Sequence, residues 1–503
     1  MSEYPTVSRL AEEAYGVFDT ATSRAKEIFQ PTVRLGVTGL SRAGKTVFIT
    51  SLIHNLIHGK KLPFFNAKYS GRISRVYLQP QPDDDVPRFS YEGHLESLTA
   101  DRLWPESTRS ISQLRLTIEY ETANSWGKMF SPGKLNLDII DYPGEWLLDL
   151  PLLSQDYATF CKNAVEMAKT YPRSDLSTRW LDLAQQIDPD SDFQDPPIIE
   201  LAAAFSDYLK DCKHDKRAFS TLPPGRFLLP GDLDGSPAVT FAPLLDIDDR
   251  TAKPNSMLSI MERRFESYKT KVIRPFYQNH FARLDRQVIL IDALQALNAG
   301  REAVIDLERA LGDILLSFNT GKNSFPANLF TRRIDKILVA ATKADHLHHE
   351  SHDHLQAIVQ RLVNRALVKI DATGAEVDVL AMAAIRATKE ATHKNGDEEL
   401  QLIVGTPREG EQLGDETFDG KTQKAIFPGD LPENSDSIFK AVDSDDQQDF
   451  EDLSHINFVR FRPPLLKTKQ SEKPTNSAQN TQVDIPHIRL DRALEFLIGD
   501  RLQ

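Results

Sequence analysis

Gly39-Leu-Ser-Arg-Ala-Gly44-Lys45-Thr46 forms a complete G-x-x-x-x-G-K-T, and residues of these types at this spacing suit one chemistry, the grip of a polyphosphate. Glycines let the backbone curl so that its N–H groups point inward, and a helix that starts where the loop ends adds its positive pole. In this reading Gly39, Ser41, Arg42, Ala43, Gly44, Lys45, Thr46 and Val47 surround the phosphates. Lys45 reaches the outer ones, and the Thr46 hydroxyl ligates Mg²⁺. A second group, Asp141-Tyr142-Pro143-Gly144, follows a run of apolar residues. An Asp at the tip of such a strand can hold the water shell of Mg²⁺, and Gly144 can offer its N–H to a terminal phosphate. A third, Thr342-Lys343-Ala344-Asp345, reads the base. A carboxylate there accepts from the N1–H and exocyclic amine of guanine, whereas adenine offers a bare N1 and would leave the acid unpaired. Lys343 would lie along the purine ring, and a backbone N–H from Ala384, Ile385 or Arg386 would meet guanine O6. The expected ligands are GTP or GDP with Mg²⁺.

Those groups need elements to hold them. Val33, Leu35 and Val37 alternate as a short buried strand ahead of the glycine loop, and Val47, Phe48, Ile49, Leu52, Ile53 and Leu56 follow as an apolar helix. GRISRVYLQP reads as a strand. QLRLTIEY and KLNLDIID read as an antiparallel hairpin that ends at Asp141. From about 150 to 275 the spacing turns to three and four, as in YATFCKNAVEMAKTY and IIELAAAFSDYLKDC, and we expect a helical insertion. QVILID, KILVAAT and EVDVLAMAAIRAT then alternate with helical stretches at 301–318 and 353–369, the pattern of a parallel, doubly wound sheet. The fold class expected is therefore α/β, a P-loop NTPase core with a mostly parallel sheet and a large helical insertion. The units expected are an N-terminal helix to residue 31, the core at 32–149 and 276–400, the insertion at 150–275, and a C-terminal extension at 401–503. Within that extension residues 430–452 carry nine acids against one lysine and read as a solvated loop or flexible segment. KTKQSEKPTNSAQNTQ reads as a flexible linker, and HIRLDRALEFLIGDRL as a closing helix.

The bulk numbers narrow the classes. A formal net charge of −13 over 503 residues argues against a nucleic-acid binder that works by bulk electrostatics. Two distant cysteines make no metal pair, the first residues are too polar for a secretory signal, and no apolar run is long enough to span a membrane. A cytoplasmic protein is expected, at most peripheral to a membrane.

GLSRAGKT, WPESTRSISQLRLTIEY, DYPGEW, LDRQVILIDALQALNAG, TKAD and the closing HIRLDRALEFLIGDRL together resemble the bacterial YcjX stress-protein family over nearly the whole chain. The resemblance implies a Ras-like GTP-binding domain with a large helical insertion, a link to envelope stress and an inner-membrane partner protein. Against the pattern of other GTPases two positions stand out. Glu145 occupies the place where many carry the Gln that orients the attacking water, so it must either point away from the phosphates or find a partner. Thr108 stands where the Mg²⁺-binding switch threonine belongs, among Ser107, Ser110 and Ser112, with Arg109 next to it as a candidate internal arginine finger or an ordinary surface residue.

Two look-alikes are set aside. Gly420-Lys421-Thr422 lacks both the first glycine and a preceding strand, and the histidines of HLHHESHDH have no fixed ligand spacing for zinc. Three functions follow from this reading: a GTPase switch that hydrolyses slowly, a guanine-nucleotide-dependent binding module that does not hydrolyse, and an ATPase.

Overall fold

Alternation of apolar residues at 33, 35 and 37 has the consequence expected of period two. In the computed structural model the strand β1 (Thr32–Gly39) sends Val33, Leu35 and Val37 into one core. The structure describes residues 30–40, 42–59, 62–106, 110–122, 133–215, 217, 219–247, 250–319, 334–368, 375–395, 398–444, 459–466, 468–469 and 482–503. The expected N-terminal helix, most of the polar linker, Ser41, Ser107, Thr108 and Arg109 lie outside the described residues.

β1 is the middle of seven strands. It is followed by α1 (Lys45–His58), β2 (Ile73–Gln79), α2 (Tyr91–Thr99), and the hairpin of β3 (Ser112–Tyr120) with β4 (Gly133–Asp141). Much later come β5 (Arg286–Ile291), β6 (Lys336–Ala341) and β7 (Glu376–Ala381), in the spatial order β2-β3-β4-β1-β5-β6-β7. The two contacts of the hairpin side, β2 with β3 and β3 with β4, are antiparallel; the remaining four are parallel. This is the α/β P-loop NTPase fold expected. Its parallel part is buried on both faces, as crossover helices require.

Side chains of the central strands divide between two cores. Val288, Leu290, Leu338 and Ala340 join Val33, Leu35 and Val37 under α1 and the closing helix α11 (Leu490–Ile498). Ile289, Ile291, Ile337 and Val339 face the other way, into a larger apolar cluster. That cluster is continuous with the residues between β4 and β5. These form a long 3-10 stretch (Gly144–Ser154) and then α3 (Tyr157–Lys169), α4 (Ser174–Gln185), α5 (Asp195–His214) and α6 (Met257–Tyr268). Phe160, Phe205, Phe241 and Phe265 pack ring on ring at its centre, with Phe160 stacked on Phe265 at 5.0 Å. The insertion is thus seated on one face of the sheet. Trp180, fully buried, lies 4.8 Å from the Phe205 ring and 5.3 Å from Tyr208. Trp180→Ala should remove about 3–5 kcal/mol of stability, read as a lowered urea midpoint.

Helices α7 (Ala293–Ala299), α8 (Arg301–Asn319) and α9 (His352–Val368) complete the larger core. Part of the acidic run departs from its expected solvated loop. Asn434 caps a helix, α10 (Ser435–Asp443), whose Ile438, Phe439, Ala441 and Val442 are buried in that core. Acids on its outer face, Asp436 and Asp443, pair with Arg361 and Arg365 of α9. High net charge hid an amphipathic stripe only nine residues long. The C-terminal part also contributes a three-stranded sheet, of which Glu398–Gly405 is the middle strand and Lys389–Asn395 an edge, so pairing runs across residue 400. Among the described residues no helix is long and apolar enough to cross a membrane.

Candidate functional site

At the C-terminal ends of β1, β5 and β6 lies a cavity of about 1070 Å³. Its floor is the glycine loop. Gly44 has φ +79° and caps α1, a left-handed turn that glycine adopts without a Cβ penalty. Residues 43 to 47 thereby wind from the strand into a helix start. Gly39, Arg42, Ala43, Gly44, Lys45, Thr46 and Val47 all line the cavity.

Lys45 leans across to the hairpin. Its Nζ lies 2.7 Å from Asp141 Oδ1 and donates to the Tyr142 carbonyl at 2.7 Å. A phosphate arriving on the loop therefore meets a lysine already held beside the Asp141 carboxylate. Thr46 Oγ1 donates to the Glu106 carbonyl at 3.3 Å, so the stretch that leads to Thr108 and Arg109 starts against the loop. A hydroxyl and a buried carboxylate at the ends of neighbouring elements are hard oxygen donors, a set that fits Mg²⁺. Gly144 is required for a different reason. A Cβ there would fall 2.1 Å from the Gly39 carbonyl oxygen, so any other residue would push the hairpin's end off the loop.

Glu145 also lines the cavity, and its partner comes from outside every motif. Lys213, in the last turn of α5, places Nζ 2.6 Å from Glu145 Oε1. Sequence reading passed over Lys213 because 68 residues separate the two; only the seating of the insertion brings them together. The following residues are held just as firmly. A Cβ on Gly225 would fall 1.9 Å from the Glu145 carbonyl oxygen, and Arg226 stacks over Trp146 at 3.2 Å. Asp149 accepts from Gly225 N–H and from Tyr268 Oη, each at 2.6 Å. Burial pushes its carboxyl up to about 6.

The far end of the cavity is made by the third motif. Asp345 is 3% exposed, and its Oδ2 accepts the Ala387 N–H at 2.7 Å. Burial raises its pKa to about 6, with the Ala387 N–H opposing the rise. Lys343 has φ +62°, and its ammonium pairs with Asp292. Asp292 is a second residue that sequence reading missed; it caps α7 by accepting Gln295 N–H at 3.1 Å, and its place at the tip of β5 was the available signal. Ala384 and Ile385 line the cavity. Arg386 lies just beyond them. β7 ends at Ala381, and the turn after it is bridged by the C-terminal segment: Ala383 pairs with Ile488, and Arg386 N–H donates to the Pro486 carbonyl at 2.8 Å. That N–H is thus taken, and the Arg386 guanidinium donates to Glu390 at 2.9 Å. The chain leaves β7 earlier than its apolar run suggests.

Neither look-alike gains support. Asp419 accepts from the N–H groups of Lys421 and Thr422 and closes a turn there, with no helix behind it. His348, His349 and Glu350 do bring their ligand atoms within 4.8 Å of one another. Two of the three are exposed, however, and His349 is bound to Glu390 at 3.0 Å. Cys161 and Cys212 are buried thiols that form no disulfide, and burial pushes Cys212 up to about 11.

The cavity is therefore lined both by the glycine loop and by a buried carboxylate. Comparisons with known proteins agree in the class. The chain is 35% identical over 482 residues to the Ras-like GTPase YcjX of Escherichia coli, covering 94% of this chain and 96% of that protein. It is 32% identical over 496 residues to the Ras-like GTPase YcjX of Shewanella oneidensis, covering 94% and 95%. The family model described as "YcjX-like family, DUF463" matches residues 33–502, a span that includes all three motifs and the Lys213–Glu145 pair. The chain belongs to the YcjX-like family.

Proposed function

We propose that this protein binds GTP with Mg²⁺, hydrolyses it slowly, and changes the packing of its helical insertion with the state of the nucleotide. The observation that carries the guanine reading is Asp345, a buried carboxylate fixed by the Ala387 N–H in the cavity that begins at the glycine loop. Lys45 and the loop N–H groups hold the phosphates. Thr46 and Asp141, with Thr108, would hold Mg²⁺, which when bound offsets charge on the outer phosphates. In hydrolysis a water oxygen adds to the terminal phosphorus and the bond to the bridging oxygen breaks. GDP leaves with that electron pair, and the water's proton passes to the released phosphate. Gly144 N–H and the Glu145 region would sense the terminal phosphate.

The switch reading rests on the clamp just described. Gly225, Arg226 and Tyr268 of the insertion seize residues 145–149, so a shift at Gly144 has a direct path into the helices. This makes the insertion the effector surface. A role in the bacterial envelope-stress response through a membrane-bound partner rests on the family resemblance. A non-hydrolysing binding module is the second reading, and a carboxylate at 145 held by Lys213 in place of a water-orienting amide favours it.

Titration with GTP, GDP and ATP, followed by phosphate release, tests the proposal. Guanine nucleotides should bind at least about 100-fold more tightly than ATP, the equivalent of two lost hydrogen bonds to a charged acceptor. Turnover should be on the order of 10⁻² s⁻¹ or slower; none at all would select the second reading. Hydrogen exchange should differ between GDP and a non-hydrolysable GTP analogue at 144–170, with little change at β6. A response confined to the glycine loop and β6 would sink the switch.

Acid should weaken binding. Guanine needs the ionised form of Asp345, whose pKa lies at about 6. Between pH 7 and pH 5 the ionised fraction falls roughly tenfold, and the affinity of fluorescent GDP should fall with it. Folding stability moves the other way. The folded value lies above the ordinary one, so this group's contribution to stability declines as pH rises from about 4 to 6.

A further inference from the structure

We infer that Lys213 is the internal cation that engages the terminal phosphate of bound GTP, with Glu145 as the partner it leaves to do so; this rests on the GTP reading above. Four observations meet here. Lys213 and Glu145 lie on the cavity wall beside Pro143 and Gly144, at the same end as Lys45 and Thr46. Both side chains are partly accessible, at 23% and 19%, so the pair borders the cavity and is not sealed beneath it. Glu145 by itself would repel a triphosphate placed against Gly144, and the 2.6 Å contact with Lys213 cancels that charge. A terminal phosphate carries more negative charge than a carboxylate, and an ammonium on a four-carbon stem has three donors to share or transfer.

The position of Lys213 gives the contact a second role. It sits in the last turn of α5, a 20-residue helix whose Phe205, Tyr208 and Leu209 are buried in the insertion's core. A cation drawn toward the phosphate pulls on that helix, whereas GDP has no terminal phosphate to draw it. Lys213 would then stabilise charge on the transferring group, as an arginine finger does when supplied in cis, and report the nucleotide to the insertion through one side chain.

The test compares wild type with K213M, K213R and the double variant K213M/E145M, whose apolar side chain at 145 brings no water-orienting amide. Three quantities are measured: affinity for GDP, formation of the complex of GDP with aluminium fluoride, and single-turnover GTP cleavage. K213M should bind GDP within about threefold of wild type, lose the fluoride complex, and cleave GTP roughly 10²-fold more slowly, below the range known for arginine fingers. K213R should keep part of both. The double variant separates the two roles of Lys213, since it leaves no unpaired carboxylate. If it regains the fluoride complex and the turnover, or if K213M never loses them, Lys213 only neutralises Glu145 and the proposal is overturned. Wild type that binds GDP and GTP but forms no fluoride complex also overturns it, while the GTP reading stands. Wild type that binds no guanine nucleotide brings down both.

Discussion

Asp345→Asn should exchange guanine for xanthine as the preferred base. The Asp345 carboxylate is buried, and one of its oxygens accepts the Ala387 N–H at 2.7 Å. An amide that keeps this bond must turn its oxygen toward Ala387, which turns its NH₂ toward the base. There it meets the exocyclic amine of guanine, donor against donor, but can donate to the 2-oxygen of xanthine. Loss of two hydrogen bonds to a charged acceptor costs about 3 kcal/mol or more, so GDP affinity should fall at least ~100-fold while that for the xanthosine diphosphate rises. Because Asp345 is buried with its pKa at about 6, the neutral amide should not unfold the protein, and a thermal melt close to wild type checks that the change is local. Equal GDP affinity in the two proteins would remove Asp345 from the base site. The same variant should also lose the acid sensitivity of binding.

Lys45→Ala should abolish nucleotide binding, with a fall of roughly 10³-fold or more, and should destabilise the fold as well. Lys45 holds Asp141, which is 1% exposed, and the Tyr142 carbonyl. Deleting one partner of a buried pair leaves an uncompensated charge and costs about 3–5 kcal/mol. Loss of binding in this variant therefore has two causes. The pair Lys45→Met with Asp141→Asn separates them, since it removes both charges and keeps most of the bulk. Its melting temperature should return most of the way to wild type, whereas GTP binding, followed by calorimetry, should stay lost because the glycine loop no longer supplies its own lysine to the outer phosphates. Recovery of binding in the double variant would show that Lys45 acts only as a prop for the hairpin. Lys343 gives a contrast: its partner Asp292 caps α7, so the ion pair ties the base motif to β5 instead of to the phosphates.

What the sequence determined by itself was everything carried by local pattern. The alternation at Val33, Leu35 and Val37, the left-handed requirement at Gly44 and the apolar face of the following helix are short-range facts, and strand, loop and helix formed in that order. The hairpin of β3 and β4 and the parallel run of β5 to β7 followed from period and spacing as well. Composition misled where it averaged over a short stripe, as in α10, whose four buried residues sit among acids. An apolar run hid the turn after β7, where the C-terminal segment takes the Arg386 N–H at the Pro486 carbonyl.

Only the tertiary structure decided how the insertion bears on the site. Glu145 was legible as a residue in need of a partner, but nothing local names Lys213. Their contact depends on α5 ending at the cavity, which depends in turn on the ring-on-ring core of Phe160, Phe205 and Phe265. Burial likewise turned Asp345 from one more acid in a short motif into a group with a pKa of about 6 and a fixed orientation. Hydrogen-bond geometry and desolvation are properties of the folded surroundings. A sequence states which groups are present, and long-range packing sets which of them meet.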